Sequence, residues 1–390
     1  MRNTLFAFKF ISGIEQIEKS QWDKLAYSSG PLVQYSFIHA LENSGSVDKT
    51  QGWQAQHLLI YQNNCLIGIL PLYIKTHSYG EYVFDFVWAN SFKHYGLNYY
   101  PKLVSAIPFT PVTGTRLLLK DGIERNEVVK QTCAAIQEKI KDLGLSSMHW
   151  LFVDQDMSTT LAEHQQLSRR SVQFQWFNRD YQSFTDFLAH FNARKRKSVN
   201  RERRKLCEAG IVVSRLSGDD ITPQTMDFFY LCYQQTYLKR SGHQGYLTQS
   251  FFRQILASMK QHVMLVIAER NDKAIASALY LFDENQLCGR YWGALEEADG
   301  LHFECCYYQG IEFCIERNIA SFNPGTQGEH KILRGFEPVY CYSNHWIKEP
   351  AFHDAIDGFL QQEAVNIESY KLGAEKLLPF RQSEVDDKVE

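Results

Sequence analysis

The sequence has no marked excess of charge and no long apolar run, and each absence excludes a class of protein. Its formal net charge is −3 over 390 residues, so attraction to nucleic acid or to an anionic membrane would need a local patch. No run approaches the roughly 18 apolar residues that cross a bilayer. Lys9 interrupts the only stretch that resembles a signal peptide. We therefore expect a soluble, cytoplasmic protein.

Disulfide and metal-binding patterns are also missing. The nine cysteines form no CxxC pair and no spacing typical of zinc ligands. An odd number of cysteines within apolar stretches favours reduced thiols. A nucleophilic Cys305 or Cys306 would need a nearby base such as His302, but the apolar neighbours favour inert, buried thiols. We expect no metal site and no disulfide framework.

The length and the order of predicted elements indicate two domains. A chain of 390 residues exceeds the roughly 100 to 200 residues of a common domain. Strands and helices follow one another in a similar succession in each half, which suggests a structural duplication without a visible residue-level repeat. We predict an N-terminal domain over residues 1–180, a C-terminal domain over residues 181–380 and a disordered tail over residues 381–390.

Hydrophobic periodicity predicts a mixed α/β fold. Short turns between the strands predict mainly antiparallel sheets flanked by helices. The predicted strands include 57–61, 65–74 and 81–89 in the first half, and 263–269, 275–282 and 287–293 in the second. The predicted helices include 126–143 and the long, basic segment 184–209.

The segment from His302 to Pro338 has the composition of a functional site. Apolar residues recur every three or four positions from Phe303 to Ile315, which predicts a helix over residues 302–318. A short strand over residues 320–323 follows, and then comes the loop PGTQGEHK at 324–331. This loop holds more hydrogen-bonding and titratable side chains than a plain surface turn needs.

Four motifs resemble those of a known family. They are VFDFVWA at 83–89, GLNYYPKL at 96–103, HFE at 302–304 and PGTQGEHK at 324–331, the last running on to RGF at 334–336. They are similar to motifs of the FemAB-like predicted N-acyltransferases, a family labelled as peptidoglycan biosynthesis or recognition proteins. The resemblance covers about residues 14–380. It implies tandem GNAT-like domains, and transfer of an acyl or aminoacyl group to an amine acceptor, for example a cell-wall or peptide precursor.

The chain departs from ordinary GNAT enzymes where those enzymes hold the pyrophosphate of CoA. The resemblance places that loop at ALEEADGL, residues 294–301, which has three carboxylates where a dianion would sit. The corresponding place in the first half, ANSFKHYG at 89–96, also lacks the glycine pattern. No cofactor is firmly implied. Acyl-CoA and aminoacyl-tRNA are the donors that the resemblance brings into consideration.

Acyl transfer to an amine needs a base for the attacking nitrogen. In a GNAT topology two neighbouring strand ends diverge, and the acceptor enters between them. We therefore expect Glu304, His330 and His302 to converge on one cleft, with Glu304 or His330 as the general base. The alternatives are a carboxylate favoured by the helix dipole for Glu304 and structural imidazoles for the two histidines.

Further residues are candidates for substrate binding. Lys331 and Arg334 would hold an anionic group, or else be surface cations. The remaining candidates are Gln327, Glu329, Tyr307, Tyr308, Arg240 and Tyr246 in the second half, and Asp85, Trp88, Tyr99, Tyr100 and Lys102 in the first half. Core packing, or for Arg240 and Tyr246 a glycine-rich connection, explains several of them equally well.

The segment RKRKSVNRERRK at 194–205 is strongly basic, with eight cations among twelve residues. On a helix it would suit a phosphate-bearing partner, such as CoA, tRNA or a nucleotide-linked precursor. The candidates for phosphate binding are Arg194, Lys195, Arg196, Lys197, Arg201, Arg203 and Arg204. Alternatively the helix is solvated, or pairs with acids such as Glu296, Glu297 and Asp299.

Two rival functions remain open at this point. One is a binding module that recognises a sugar-peptide ligand without turning it over. The other is an RNA binder that acts through the basic helix. The sequence identifies neither the donor nor the acceptor.

Overall fold

The computed structural model describes residues 6–326 and 328–381. The predicted tail from residue 382 onwards and the candidate Gln327 lie outside these ranges. The chain separates into two compact units. Unit 1 comprises residues 1–172, 246–259 and 340–368, and unit 2 comprises residues 173–245, 260–339 and 369–390. The boundary predicted near residue 180 stays a prediction.

Unit 1 contains two sets of paired strands and several helices. Its strands are β1 (Ala7–Ile11), β2 (Trp53–Ala55), β3 (His57–Gln62), β4 (Cys65–Leu70), β5 (Tyr73–Lys75), β6 (Lys102–Ser105), β7 (Leu118–Leu119), β8 (Ser147–Val153) and the first part of β9 (Leu167–Phe177). Its helices are α1 (Lys19–Ala26), α2 (Tyr35–Asn43), α3 (Phe86–His94), α4 (Arg125–Asp142) and α5 (Gln155–Ala162).

Unit 2 is built on one sheet. After the end of β9 come the helices α6 (Phe184–Ala189) and α7 (Ala193–Glu208), the strand β10 (Ile211–Ser217) and the helix α8 (Pro223–Ser241). The helix α9 (Gln249–Met259) belongs to unit 1. The strands β11 (Val263–Arg270), β12 (Lys273–Phe282) and β13 (Gln286–Ala294) follow. Then come α10 (Leu301–Phe303), a π-helical turn (Glu304–Tyr308), α11 (Gln309–Glu316) and β14 (Ser321–Asn323). The strand β15 (Glu337–Ile347) and the helix α12 (Pro350–Glu375) each contain a boundary between the units.

Strand pairing gives each unit one parallel step in a mainly antiparallel arrangement. In unit 1, β1, β3, β4 and β7 form an antiparallel sheet. A second run, β15–β8–β6–β5–β2, is antiparallel except between β6 and β8. In unit 2 the order is β10–β11–β12–β13–β14–β9, and β13 and β14 are parallel. These parallel steps are where neighbouring strands separate.

The strand predicted over residues 81–89 is wrong. The chain there is irregular up to Asp85 and then helical in α3. Aromatic residues alternate in this sequence, but Trp88 and Phe92 lie four positions apart and are both buried, with Tyr99, against α12. Phe84 and Phe86 are more than half exposed. The buried apolar residues therefore have the spacing of a helix.

The helix predicted over residues 184–209 is interrupted. The α6 helix ends at Ala189, and Asn192 caps α7 because its side chain accepts a hydrogen bond from the backbone N–H of Lys195 at 3.0 Å. The helix predicted over residues 126–143 is confirmed by α4. Within the described residues, no helix combines the length and apolar character that crossing a membrane requires.

Candidate functional site

The parallel strands β13 and β14 diverge in the middle of unit 2. They pair only from Gln286 to Cys288 on β13 and from Ser321 to Asn323 on β14. The β13 strand continues to Ala294 along β12, whereas the chain leaves β14 through Pro324. The loop after β14 and the first turns of the helix that starts at Leu301 therefore border the same gap.

A pocket of about 340 Å³ opens beside this gap. Its lining residues come from the end of α8, the end of β13 and the start of α10; they are Thr236, Lys239, Arg240, Trp292, Ala294, Glu296, Glu297, Ala298, Leu301 and His302. The Thr236 hydroxyl donates a hydrogen bond to the backbone oxygen of Trp292 at 2.8 Å. Only glycine fits at position 293, because a Cβ there would lie 1.8 Å from the backbone oxygen of Cys232. This close approach of α8 to β13 fixes two walls of the pocket.

His302 and His330 lie together, as expected. Their ring centroids are 5.9 Å apart, and the Tyr307 hydroxyl and Nε2 of His330 form a hydrogen bond of 2.8 Å. Burial first, and then the neighbouring His330, Arg240, Lys331 and Arg334, lower the pKa of His302 to about 4. Burial, then Arg334 and Lys331, lower the pKa of His330 as well. Both imidazoles are neutral at pH 7 and can accept a proton.

Glu304 is not brought to these histidines. Arg203 on α7 donates to both of its carboxylate oxygens, at 2.9 and 3.0 Å, and the Gln309 amide donates a third hydrogen bond at 2.7 Å. The same guanidinium binds Glu312 at 2.6 Å. The Glu304 side chain is 6% exposed and does not line the pocket. These contacts make Glu304 an anchor for α7, and they do not support the base role expected for it.

The two predicted anion-binding cations are buried and engaged. Nζ of Lys331 donates to the backbone oxygen of Gly325 at 2.6 Å, and burial lowers the pKa of this lysine to about 7. The guanidinium of Arg334 binds both oxygens of Glu202, at 2.9 and 3.0 Å, and the Tyr308 hydroxyl at 3.0 Å. It also lies 3.4 Å from the centroid of the Phe303 ring. Arg334 therefore ties α7 to the helix that carries His302.

The remaining candidates in the second half occupy different places. Arg240 lines the pocket, is exposed, and forms no ion pair or hydrogen bond with any described residue. Glu329 is exposed and accepts a hydrogen bond from the Tyr370 hydroxyl at 2.9 Å. Tyr246 belongs to unit 1, where its ring stacks on Phe109 at 5.0 Å.

The basic helix α7 has two faces. On the inner face, Val199 and Leu206 enter the core, while Arg203 binds the glutamates described above. Lys205 pairs with Asp299 at 2.6 Å, and Arg204 lies 3.5 Å from Glu208. On the outer face, a groove of about 290 Å³ is lined by Ala193, Arg196, Lys197, Asn200, Arg201 and Arg204. Among the described residues, the cations at positions 194–197 and 201 have no ion-pair partner. One face of the helix is therefore solvated, while the other pairs with acids of the chain.

In unit 1 the family-like residues form a buried charge network. Nζ of Lys102 binds Glu81 at 2.8 Å and Asp85 at 2.5 Å, and the Tyr99 hydroxyl donates to Asp85 at 2.6 Å. Despite burial, which acts in the opposite direction, Glu81 and Asp85 raise the pKa of Lys102. Tyr100 contributes its ring 5.5 Å from the same ammonium.

Several members of this network escaped sequence reasoning. Trp88, predicted for its motif, contacts a pair of buried histidines, His149 and His345, whose Nδ1 atoms are 2.6 Å apart. Lys75 lies directly opposite Lys102 on the paired strands β5 and β6, and burial lowers its pKa to about 7. A charged residue inside an otherwise apolar strand was the available signal for Lys75. Nothing local marks His149 and His345, which are 196 positions apart.

Comparison with known families decides the relationship. Residues 13–382 match the FemAB-like family, described as peptidoglycan biosynthesis/recognition. The chain belongs to the FemAB-like family. A search among curated proteins finds no match for this FemAB-like chain.

Solved structures agree in fold with this FemAB-like protein. The crystal structure of FemX is 11% identical, covers 90% of this chain and 100% of its own, and has a TM-score of 0.53. The C-terminal DUF2156 domain of an Agrobacterium fabrum protein assigned as a lysylphosphatidylglycerol synthetase is 8% identical, covers 87% and 94%, and has a TM-score of 0.55. A tandem GNAT protein from the clavulanic acid biosynthesis pathway is 11% identical, covers 89% and 99%, and has a TM-score of 0.49. The predicted mixed α/β class, with mainly antiparallel sheets flanked by helices, is confirmed, and FemX and the DUF2156 domain share this fold.

Proposed function

We propose that this FemAB-like protein is an N-acyltransferase that moves an acyl or aminoacyl group directly to an amine, at the pocket beside His302. The observation that carries the proposal is the pair of neutral imidazoles, His302 and His330, beside the gap between β13 and β14. A neutral imidazole at the wall of a pocket can take the proton that an attacking amine must lose.

The reaction would require few groups. The lone pair of the acceptor nitrogen attacks the acyl carbonyl carbon, and a C–N bond forms while the carbonyl π electrons move to oxygen. The nitrogen proton passes to the imidazole of His302, which lines the pocket. When the carbonyl re-forms, the bond to the leaving group breaks and the leaving atom receives a proton. His330 and the Tyr307 hydroxyl, 2.8 Å apart, would relay protons behind His302.

The donor is expected to bear phosphate, as acyl-CoA and aminoacyl-tRNA both do. The pocket itself carries Glu296 and Glu297, which repel a pyrophosphate. The outer face of α7 is better suited, because its cations at positions 194–197 and 201 are not neutralised by acids of the described chain. We expect donor affinity to fall with rising salt. Changing Arg196, Lys197 and Arg201 to Gln should remove this salt dependence, which tests this part of the proposal.

The corresponding gap in unit 1 is filled by the chain itself, which favours unit 2 as the site of chemistry. There the parallel pair is β6 and β8, and the segment after β6 returns beside β8, where the N–H of Gly114 donates to the backbone oxygen of Phe152 at 3.0 Å. The buried Arg116 guanidinium donates to the backbone oxygens of Leu151 at 2.9 Å and Val112 at 2.6 Å. A substrate would have to displace these hydrogen bonds.

Transfer assays with His302 variants test the proposal. Purified protein is mixed with acetyl-CoA or an aminoacyl-tRNA and a panel of amines, including peptidoglycan stem peptides, and products are detected by mass spectrometry. We expect His302→Ala to lower the transfer rate about 100-fold, as loss of a general base does, and His330→Ala to lower it less. The matched control is His94→Ala, which removes an exposed histidine of α3. Full activity of His302→Ala would refute the assignment, and ligand binding without any product would indicate a binding module.

A further inference from the structure

The pocket beside His302 presents charges of both signs that nearly cancel. Lys239 and Arg240 lie at the end of α8, and Glu296 and Glu297 lie just after β13. Two cations and two anions give a formal net charge of zero, since His302 is neutral at pH 7. Such a lining disfavours a dianion and a dication alike. It suits a ligand that is itself neutral overall but carries separate charges.

The charges are not all used within the protein. Glu296 pairs with Arg270 at 3.0 Å, and Glu297 lies 3.4 Å from Nζ of Lys239. Arg240 is left without an ion pair or hydrogen bond among the described residues, although it lines the same pocket. Its planar guanidinium can bind a carboxylate through two parallel hydrogen bonds. Arg240 can therefore bind one carboxylate of a ligand in this pocket.

The apolar part of the lining limits the size of the ligand. Ala294, Ala298 and Leu301 stand beside the Trp292 ring, and the volume of about 340 Å³ lies near the lower end of the roughly 300 to 1,000 Å³ of ligand sites. A whole nucleotide-linked peptide does not fit into this volume. A single amino-acid unit with an aliphatic side chain does.

We propose that this pocket binds the acceptor as a zwitterionic amino-acid unit, with its carboxylate on Arg240, its amino group between His302 and the two glutamates, and its side chain on Trp292. The assignment rests on the proposed acyltransferase function and names the acceptor class for it. Glu296 and Glu297 attract the acceptor in its ammonium form. The ammonium first loses one proton to solvent, and the imidazole of His302 then takes the second proton from the attacking nitrogen and passes it to the leaving atom.

Acceptor binding would also raise the pKa of His302. Burial is the main cause that lowers the pKa of His302, and the neighbouring His330, Arg240, Lys331 and Arg334 add to it. A carboxylate bound to Arg240 offsets the positive charge of that residue, so the pKa of His302 rises when the acceptor is present. The base would then become stronger only in the complex, where it is needed.

The test measures binding without a donor, so it does not depend on turnover. L-leucine is compared by calorimetry with leucinamide, which lacks the carboxylate, and with 4-methylpentanoate, which lacks the amino group. We expect L-leucine to bind at least about 10-fold more tightly than either. Arg240→Met should abolish this preference for L-leucine over leucinamide. Lys260→Met is the control, because Lys260 is an exposed lysine of the same unit outside the pocket.

Each outcome decides the proposal. No binding of L-leucine, equal binding of L-leucine and 4-methylpentanoate, or displacement of L-leucine by pyrophosphate would overturn it. A rise in the pKa of His302 on L-leucine binding, followed by NMR, is a readout that loss of folding in Arg240→Met cannot imitate. Binding as expected but no product with any donor would reject the acyltransferase function alone. Product formed with simple amines but no L-leucine binding would reject the acceptor class alone.

Discussion

At the scale of single residues, a titratable side chain in a site-like segment is not necessarily available for chemistry. Lys331 and Arg334 lie in the polar segment that follows β14, yet each is almost fully buried and bound to protein atoms. His302 and Arg240 are the members of the expected set that line the pocket. Lys331 and Arg334 are unavailable because they bind Gly325, just after β14, and Glu202 on α7. Glu202 is far from Arg334 in the sequence.

Glu304 gives the sharpest case for a structural role. We expect Glu304→Gln to lower the free energy of unfolding of unit 2 by about 2 to 3 kcal/mol, because a neutral amide cannot satisfy the bidentate guanidinium of Arg203. Urea unfolding followed by circular dichroism measures the loss. Glu312→Gln is the matched control, since Arg203 binds this more exposed glutamate through one nitrogen, and its effect should be smaller. Equal stability of Glu304→Gln and wild type, combined with lost transfer activity, would restore the base role to Glu304.

At the scale of elements, the sequence predicted those whose apolar period is long and uninterrupted. The helix expected over residues 302–318 is present from Leu301 to Glu316, but its second turn is a π-helix, Glu304–Tyr308. His302 and Glu304 are two positions apart, so their side chains point to different sides of the helix. Periodicity cannot show such a turn, because it changes the residue count of one turn by a single position.

The strand prediction over residues 81–89 failed for a different reason. Its alternating aromatics match a strand, but Phe84, Phe86 and Val87 remain exposed. Alternating aromatics favour a strand only when one of its faces is buried. The convergence of His302 and His330 was predictable only because the topology was inferred from a family resemblance. Apart from Arg240, the residues of α8 that line the pocket were not predicted. The contribution of β13 was not predicted either, because Trp292 and Gly293 look like ordinary strand residues.

Gly293 should be intolerant of any side chain. A Cβ at this position would meet the backbone of Cys232 at 1.8 Å, and backbone cannot move aside as a side-chain tip can. We expect Gly293→Ala to separate α8 from β13, to lower the melting temperature by several degrees and to abolish ligand binding in the pocket. Thermal unfolding and calorimetry measure the two effects. Gly373→Ala on α12, where a Cβ meets nothing within 4 Å, should be neutral or slightly stabilising. A normal melting temperature for Gly293→Ala would contradict the close approach.

At the scale of the whole molecule, the two units share one plan but use it differently. Each has a parallel step within a mainly antiparallel arrangement. In unit 2 the gap beyond this step borders the pocket that His302 lines. In unit 1 the corresponding gap holds the Arg116 loop, and the buried charges of Lys102, Glu81 and Asp85 bind one another. Burial on this scale also makes the stability of the protein depend on pH.

Stability should fall as the pH is lowered from 7 to 5. Burial lowers the pKa of His149 and His345 well below the ordinary 6.5, and it lowers that of His302 to about 4. Below pH 6.5 the unfolded chain therefore binds protons that the folded chain does not, which favours unfolding. Glu81 acts in the opposite sense, because burial raises its pKa to about 7, but the lowered pKa of His330 adds to the effect of the other three histidines.

The buried histidine pair of unit 1 allows this dependence to be assigned. The charged and titratable groups around the pair are Lys102, Arg169, Asp85 and Tyr99, and the two cations oppose its protonation. We expect His345→Gln to lower stability at pH 7, because Gln cannot reproduce the contacts of Nδ1 with His149 and of Nε2 with Ser343. The difference in urea midpoint between pH 7 and pH 5 should nevertheless be smaller than in the wild type. The exposed His94→Gln is the control and should leave that difference unchanged. A difference in His345→Gln as large as in the wild type would place the acid sensitivity elsewhere, since removing a group that titrates between the two states must remove its share of the slope.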